Sequence, residues 1–425
     1  MLKRIKIGDL IKLKKAHSQT GPFGTQLKAS HYVEEGVPVI NVRNIGFGDI
    51  RANSLEFVDN DMAKELKSHI LRKDDIVFGR KGAVERHTLI SSNEEGWIQG
   101  SDCIRLRFLT DEYNPTFISF FFRTEQHKQW MINLGSFGAT MGSLNQEIIS
   151  KIEIPDIILN LQTQIASILS SYDELIENNK QRIKLLEEMA AEIYKEWFVR
   201  MRFPGYETAK FFNEQGAEVK RGMEGGLPEG WKDGNLGDLV EFKKGRNITE
   251  STVVEGNVPV VAGGLSPAYY HNTANTESPT ITISASGANA GYVNLYYEDI
   301  WASDCSYLDT KSTNSIYFYY LLTRNKQNEV TFLQKGSAQP HVYPKDIMSL
   351  KLIKPLNGLI ESFEYLIKPF FEETKTLIQK NQLLQQTRDL LLPRLISGKL
   401  SVEHLLGAEQ EGLMAAEPKN EYKVK

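Results

Sequence analysis

IGDLIKLKKA at 7–16 returns in altered form as LGDLVEFKKG at 236–245, and the comparison of these two decamers decides how the chain is divided. Outward from them the same order recurs. GVPVI at 36–40 answers NVPVV at 257–261, RKGAV at 80–84 answers SGANAG at 286–291, and GSDCI at 100–104 answers ASDCS at 302–306. Gly135-Ser136 answers Gly336-Ser337, and each pair is followed by an apolar segment ending in proline, Pro155 and Pro355. The offset falls from 229 residues at Asp9/Asp238 to 202 at Asp102/Asp304 and 200 at the prolines, so one unit is duplicated with an insertion in the first copy. Each copy mixes β-branched and aromatic runs (PVINVRNI, IRLRFL, PTITISA, NLYYEDI) with helical stretches such as 115–131, which reads as α+β.

After each copy comes a long seam. Ile165, Leu169, Tyr172, Ile176, Asn179, Ile183, Leu186, Ala190, Ile193 and Trp197 alternate at spacings of four and three. So do Phe363, Ile367, Phe370, Thr374, Leu377, Asn381, Leu384, Arg388, Leu391 and Leu395, with Pro369 expected to start or kink the helix. Each stripe spans 33 residues, about 50 Å of helix, longer than a domain of this size needs, so the two are expected to pack on each other. The chain path requires them to be antiparallel, with the two copies at opposite ends of a coiled-coil rod and a pseudo-twofold axis across it. The expected layout is a globular domain at 1–157, a helix at 158–200, a Gly- and Pro-rich connector at 201–230, a second domain at 231–357, a helix at 358–397 and a solvated tail at 398–425.

Composition narrows function mainly by exclusion. The 425 residues exceed what one core usually serves, and no apolar run is long enough to span a bilayer, which points to a cytoplasmic protein. Cys103 and Cys305 occupy matched positions and read as reduced, buried residues. The net charge of −4 does not advertise a polyanion ligand; residues 1–157 carry 21 Lys+Arg against 20 Asp+Glu, so any basic face must be local. The chain has no GxxxxGK[ST], GxGxxG, [DN]PP[YF], HxH or HExxH element, which leaves no nucleotide loop, methyltransferase amine clamp or metal site to build an enzyme on.

GPFGTQLKASHYVEEGVPVINVRNI, DIVFGRKGAV, EGWIQGSDCIRLR, EIYKEWFV, LPEGW and above all RDLLLPRLISGKL resemble, in that order and over nearly the whole chain, the specificity subunits of type I restriction-modification systems. The resemblance implies a non-catalytic subunit with two target-recognition domains, each reading half of a bipartite, asymmetric DNA site across a spacer set by the helices. It implies as partners two modification subunits, which methylate adenine, and two ATP-driven restriction subunits. S-adenosylmethionine, ATP and Mg are then expected in those partners, and no cofactor in this chain. Polar and basic residues in loops that differ between the copies are the expected DNA contacts: Arg43, Asn44, Arg80, Lys81, Thr140 and Ser143 in the first, Lys244, Arg246, Ser286, Asn289, Gln339 and His341 in the second. Trp197, Phe198, Arg394 and Lys399 are candidates for docking the modification subunits. Two rival readings are a single-chain nuclease or methyltransferase, and a coiled-coil scaffold whose end domains bind proteins or glycans.

Overall fold

The computed structural model describes residues 3–135, 143–335, 340–400 and 402. The chain divides into two compact units, residues 1–177 with 381–425, and residues 178–380. The two long helices, Leu159–Tyr194 and Asn357–Ile396, contribute residues to both.

In the first unit a five-stranded sheet has the order Ala16–Thr20, Cys103–Phe108, Ile76–Gly79, His87–Leu89, Phe47–Gly48. Ile76–Gly79 lies inside the sheet and is buried along its whole length, which suits an apolar run without alternation. A four-stranded sheet has the order Tyr32–Val33, Glu56–Val58, Val37–Ile40, Ile98–Gln99. Ile40, Ile45, Val77 and Cys103 form a separate buried cluster. The stretch 115–131, expected to be helical, holds two helices: Pro115–Phe122, started by Pro115 and capped by the Asn114 side chain, and Glu125–Gly135. The first packs Phe117, Phe120 and Phe122 into a core with Ile165 and Leu169 of one long helix and Leu392, Leu395 and Ile396 of the other.

The second unit repeats this with less chain. Lys243–Lys244, Cys305–Leu308, Thr280–Ser284 and Val293–Tyr296 form one sheet, and Tyr269–His271, Val258–Val261 and Trp301–Ala302 another. A two-stranded antiparallel ribbon closes each copy, Arg4–Lys6 on Glu153–Pro155 and Lys232–Asn235 on Lys351–Lys354. Register corrects the sequence alignment at one point. Gly21 N–H donates to Cys103 O and Gly245 N–H to Cys305 O, so Gly245 answers Gly21 and not Ala16, and the offset has already dropped from 229 to 224. The five extra residues fit the different starts of the copies: helix Ile7–Lys12 in one, the single turn Leu236–Asp238 in the other.

The stretch 201–230, read as plain connector, contains a small sheet of Phe211–Phe212, Glu218–Val219 and Leu227–Pro228. Pro369 neither starts nor ends its helix, which runs through it. The carbonyl that loses a partner there is that of Tyr365, a residue 86% exposed and so open to water. Within the first unit Asn381 Nδ2 donates to Ile176 O at 3.3 Å, and Asp173 takes Arg123 at 2.6 Å and Arg388 on its other oxygen. Within the second, Arg182 pairs with Glu373 at 2.8 Å, and Trp197 meets Phe363 at 5.4 Å. In each unit the helix segments therefore run antiparallel.

One position on both long helices has a second task. Gln162 accepts from Asn114 N–H at 2.8 Å while donating to the carbonyls of Glu112 and Ile157. Its counterpart Glu364 accepts from Tyr317 N–H at 3.1 Å and Phe318 N–H at 2.8 Å, at the start of helix Ile316–Asn325. Both residues answer donors that a helix start leaves unpaired.

Candidate functional site

The two strands before the loops are Ile76–Gly79 and Thr280–Ser284, each paired with the strand that begins at the matched cysteine. The two cysteines are core residues: Cys103 Sγ donates to Ile40 O and Cys305 Sγ to Val261 O, and burial pushes both thiols up to about 12. They fasten the sheets together beneath the loops.

On this frame several of the expected contact residues converge. In the first unit Arg80 N–H donates to Asp102 O at 2.7 Å, Lys81 bridges to Ser143, and Leu144 N–H returns to Arg80 O. Lys81 and Ser143 are exposed and Arg80 is half-buried. In the second unit Ala285 N–H donates to Asp304 O, Ser286 bridges to His341, and Val342 N–H returns to Ala285 O. The backbone pairings correspond residue for residue: Arg80 with Ala285, Lys81 with Ser286, Ser143 with His341. Each continues into a left-handed glycine, Gly82 at φ +79° and Gly287 at φ +77°, a conformation for which glycine pays no steric cost. Asn289 follows, half-buried. Exposed Lys244 and Arg246 flank Gly245; the Arg246 guanidinium lies 5.9 Å from the Trp301 ring, whose Nε1–H donates to Arg246 O.

The other expected residues differ in how far they are exposed. Asn44 is fully buried, its Oδ1 accepting from Asn41 N–H and its Nδ2 donating to Arg51 O and Asn53 O, so it shapes a loop and faces no ligand. Arg43 is half exposed but tied to Glu56 at 2.9 Å and to Ser54 O. Trp197 is buried in the core of the second unit, which leaves it little docking surface, and Phe198 is half-buried against that core, packing on Phe318 at 4.9 Å and Phe363 at 5.0 Å. Arg394 and Lys399 are exposed. Thr140 and Gln339 lie outside the described residues. The obvious strand arginines are likewise engaged internally, Arg105 with Gln19 and two carbonyls and Arg107 with Asp75 at 2.6 Å, and burial lowers Arg105 to about 10.

Sequence reasoning passed over Asp102 and Asp304. Both stand among the convergent residues, Asp102 Oδ1 lying 3.4 Å from Lys81 Nζ and Asp304 accepting from Ser286 Oγ. Their match in the repeat was the available signal, and their charge hid it. Among the described residues no cluster of His, Cys, Asp or Glu is arranged to hold a metal ion, and no helix is long and apolar enough to cross a membrane.

Comparison with known proteins agrees with this architecture. The family described as type I restriction modification DNA specificity domain matches residues 3–188 and 228–358, one match per copy. The chain is 25% identical over 311 residues to the type I restriction enzyme MjaIX specificity subunit of Methanocaldococcus jannaschii, covering 68% of this chain and 70% of that one. It is 21% identical over 390 residues to the putative type I restriction enzyme MjaX specificity subunit of the same organism, covering 87% and 88%. The crystal structure of the S subunit of a type I restriction-modification system from M. genitalium shares the fold, with a TM-score of 0.57 and 17% identity over 93% of this chain and 96% of that one. With the family matched over more than half of its residues, once in each copy, the chain belongs to the specificity subunits of type I restriction-modification systems.

Proposed function

We propose that each copy reads one half of a bipartite, asymmetric DNA sequence, and that the two long helices form an antiparallel coiled coil whose length sets the unspecified spacer between the halves. The observation that carries this reading is the shared frame: the same backbone bonding in both copies presents different side chains at equivalent places, Lys81 against Ser286 and Ser143 against His341. A duplicated reader with divergent tips suits a site whose two halves differ. Arg80, Lys81 and Ser143 in one copy, and Lys244, Arg246, Ser286, Asn289 and His341 in the other, are the proposed contacts. A pseudo-twofold relation of the copies would place two recognition surfaces on one face of a duplex when the half-site centres are about one helical turn apart.

The chain itself holds no cofactor in this reading. It directs two adenine-modifying subunits, which bring S-adenosylmethionine, and two ATP- and Mg-dependent restriction subunits, in the cytoplasm; Arg394 and Lys399 are the exposed residues proposed to meet the modification subunits. The test is host-genome methylation with and without the gene, sequenced so that N6-methyladenine is detected directly. Loss of one split motif on deletion is the expected result. An unchanged methylome under active expression of the partners would refute the reading in favour of a scaffold.

A further inference from the structure

The loops that differ between the copies share an unchanged charged side chain. Asp102 and Asp304 sit at the same place, each carbonyl accepting the N–H of the residue just before the exchanged side chain, Arg80 at 2.7 Å and Ala285 at 3.1 Å. Each carboxylate reaches that exchanged side chain: Asp102 pairs with Lys81 at 3.4 Å, and Asp304 accepts from the Ser286 hydroxyl. Asp102 is 47% exposed and Lys81 58%, so this pair faces solvent. An acid on a surface that meets a polyanion weakens attraction. Its presence in both copies asks for a compensating role.

Direction is that role. A lysine stem and a hydroxyl rotor are both free to turn, and a fixed acceptor beside them selects one orientation. We propose that Asp102 and Asp304 are positioning residues that aim the exchangeable side chain next to them, so that a recognised base changes with residue 81 or 286 while the acid stays. The inference rests on the reading of the copies as DNA readers, and it names the chemistry each presents. A Lys81 ammonium drawn to one side by its ion pair with Asp102 keeps donors for a ligand and suits a base edge that only accepts, guanine O6 and N7. A Ser286 hydroxyl that donates to Asp304 presents lone pairs alone and suits an exocyclic amine, that of adenine or cytosine.

The test uses the full chain with its modification subunits in a host lacking its own copy, with direct sequencing of N6-methyladenine. Asp304→Asn and Ser286→Ala should relax the same position of one half-site, by about tenfold in discrimination, and leave the other half-site as stringent as before. Asp102→Asn should relax a position in the opposite half-site. The untouched half-site reports that folding and assembly survive. Wild-type stringency at both halves in Asp304→Asn overturns the inference, and so does joint loss of both halves, which would make the acid a structural residue. Absence of any split motif with the wild-type chain would remove the DNA-reading proposal and this inference together.

Discussion

Replacing Glu364 by glutamine should change how the stability of the second unit depends on pH. The side chain is 8% exposed, and burial pushes its carboxyl up to about 7 from an ordinary 4.5, against the pull of the Tyr317 and Phe318 N–H donors. Between these two values the unfolded chain has released the proton while the folded one holds it. The stability associated with the protonated group is therefore complete below about pH 4.5 and is lost as pH rises through about 7, a total of about 3 kcal/mol at 1.36 kcal/mol per pH unit. Glutamine carries no such titration. It keeps one acceptor oxygen, as Gln162 does in the first copy, but forfeits the second N–H bond at about 1 kcal/mol. The variant should thus be about equal to wild type in stability at pH 5, where the wild type has already lost about 1 kcal/mol of its low-pH advantage, and about 2 kcal/mol more stable at pH 8. Urea unfolding from pH 5 to 8, followed through the tryptophans and fitted as two transitions, measures this directly. Parallel slopes for the two proteins would show that Glu364 is not the titrating group.

Two further outcomes follow from packing. Asp173→Ala leaves the guanidinium groups of Arg123 and Arg388, 15% and 20% exposed, facing one another without their shared acid; a loss of about 2 kcal/mol in the first unit is expected from urea unfolding, and a change below about 0.5 kcal/mol would refute the ion cluster as a structural tie. Cys103 and Cys305, 0% and 1% exposed with thiols pushed up to about 12, should not react with a disulfide reagent at pH 8 until denaturant is added, when two thiols should titrate; reaction of either in the native protein would contradict their place in the core.

The duplication was legible because short runs at the sheet crossings, VPV and SDC, are unchanged between copies, and the long helices because four-three spacing over 33 residues outweighs local noise. Two-residue strands such as Phe211–Phe212 carry no period, so the small sheet at 201–230 read as connector. The match of LKKA to FKKG was a coincidence of letters that only backbone pairing exposes. Side-chain type identified Arg80, Lys81 and Ser286 as candidates, but accessibility is a tertiary property: Asn44 reads like any polar loop residue until its three hydrogen bonds close around it, and Trp197 reads like a surface anchor until Phe363 covers it.

The closing ribbons make each copy a cassette. Because Arg4–Lys6 lies against Glu153–Pro155, and Lys232–Asn235 against Lys351–Lys354, the chain enters and leaves each copy on neighbouring strands, about 5 Å apart. That gap is the same whether the copy between is long or short, as the insertion in the first copy already illustrates. A crossover between genes at these two places would exchange one whole copy on an unaltered handle, and the incoming copy would have to keep the contacts that Asn114 and Phe117 in the first, or Tyr317 and Phe318 in the second, make with the long helices.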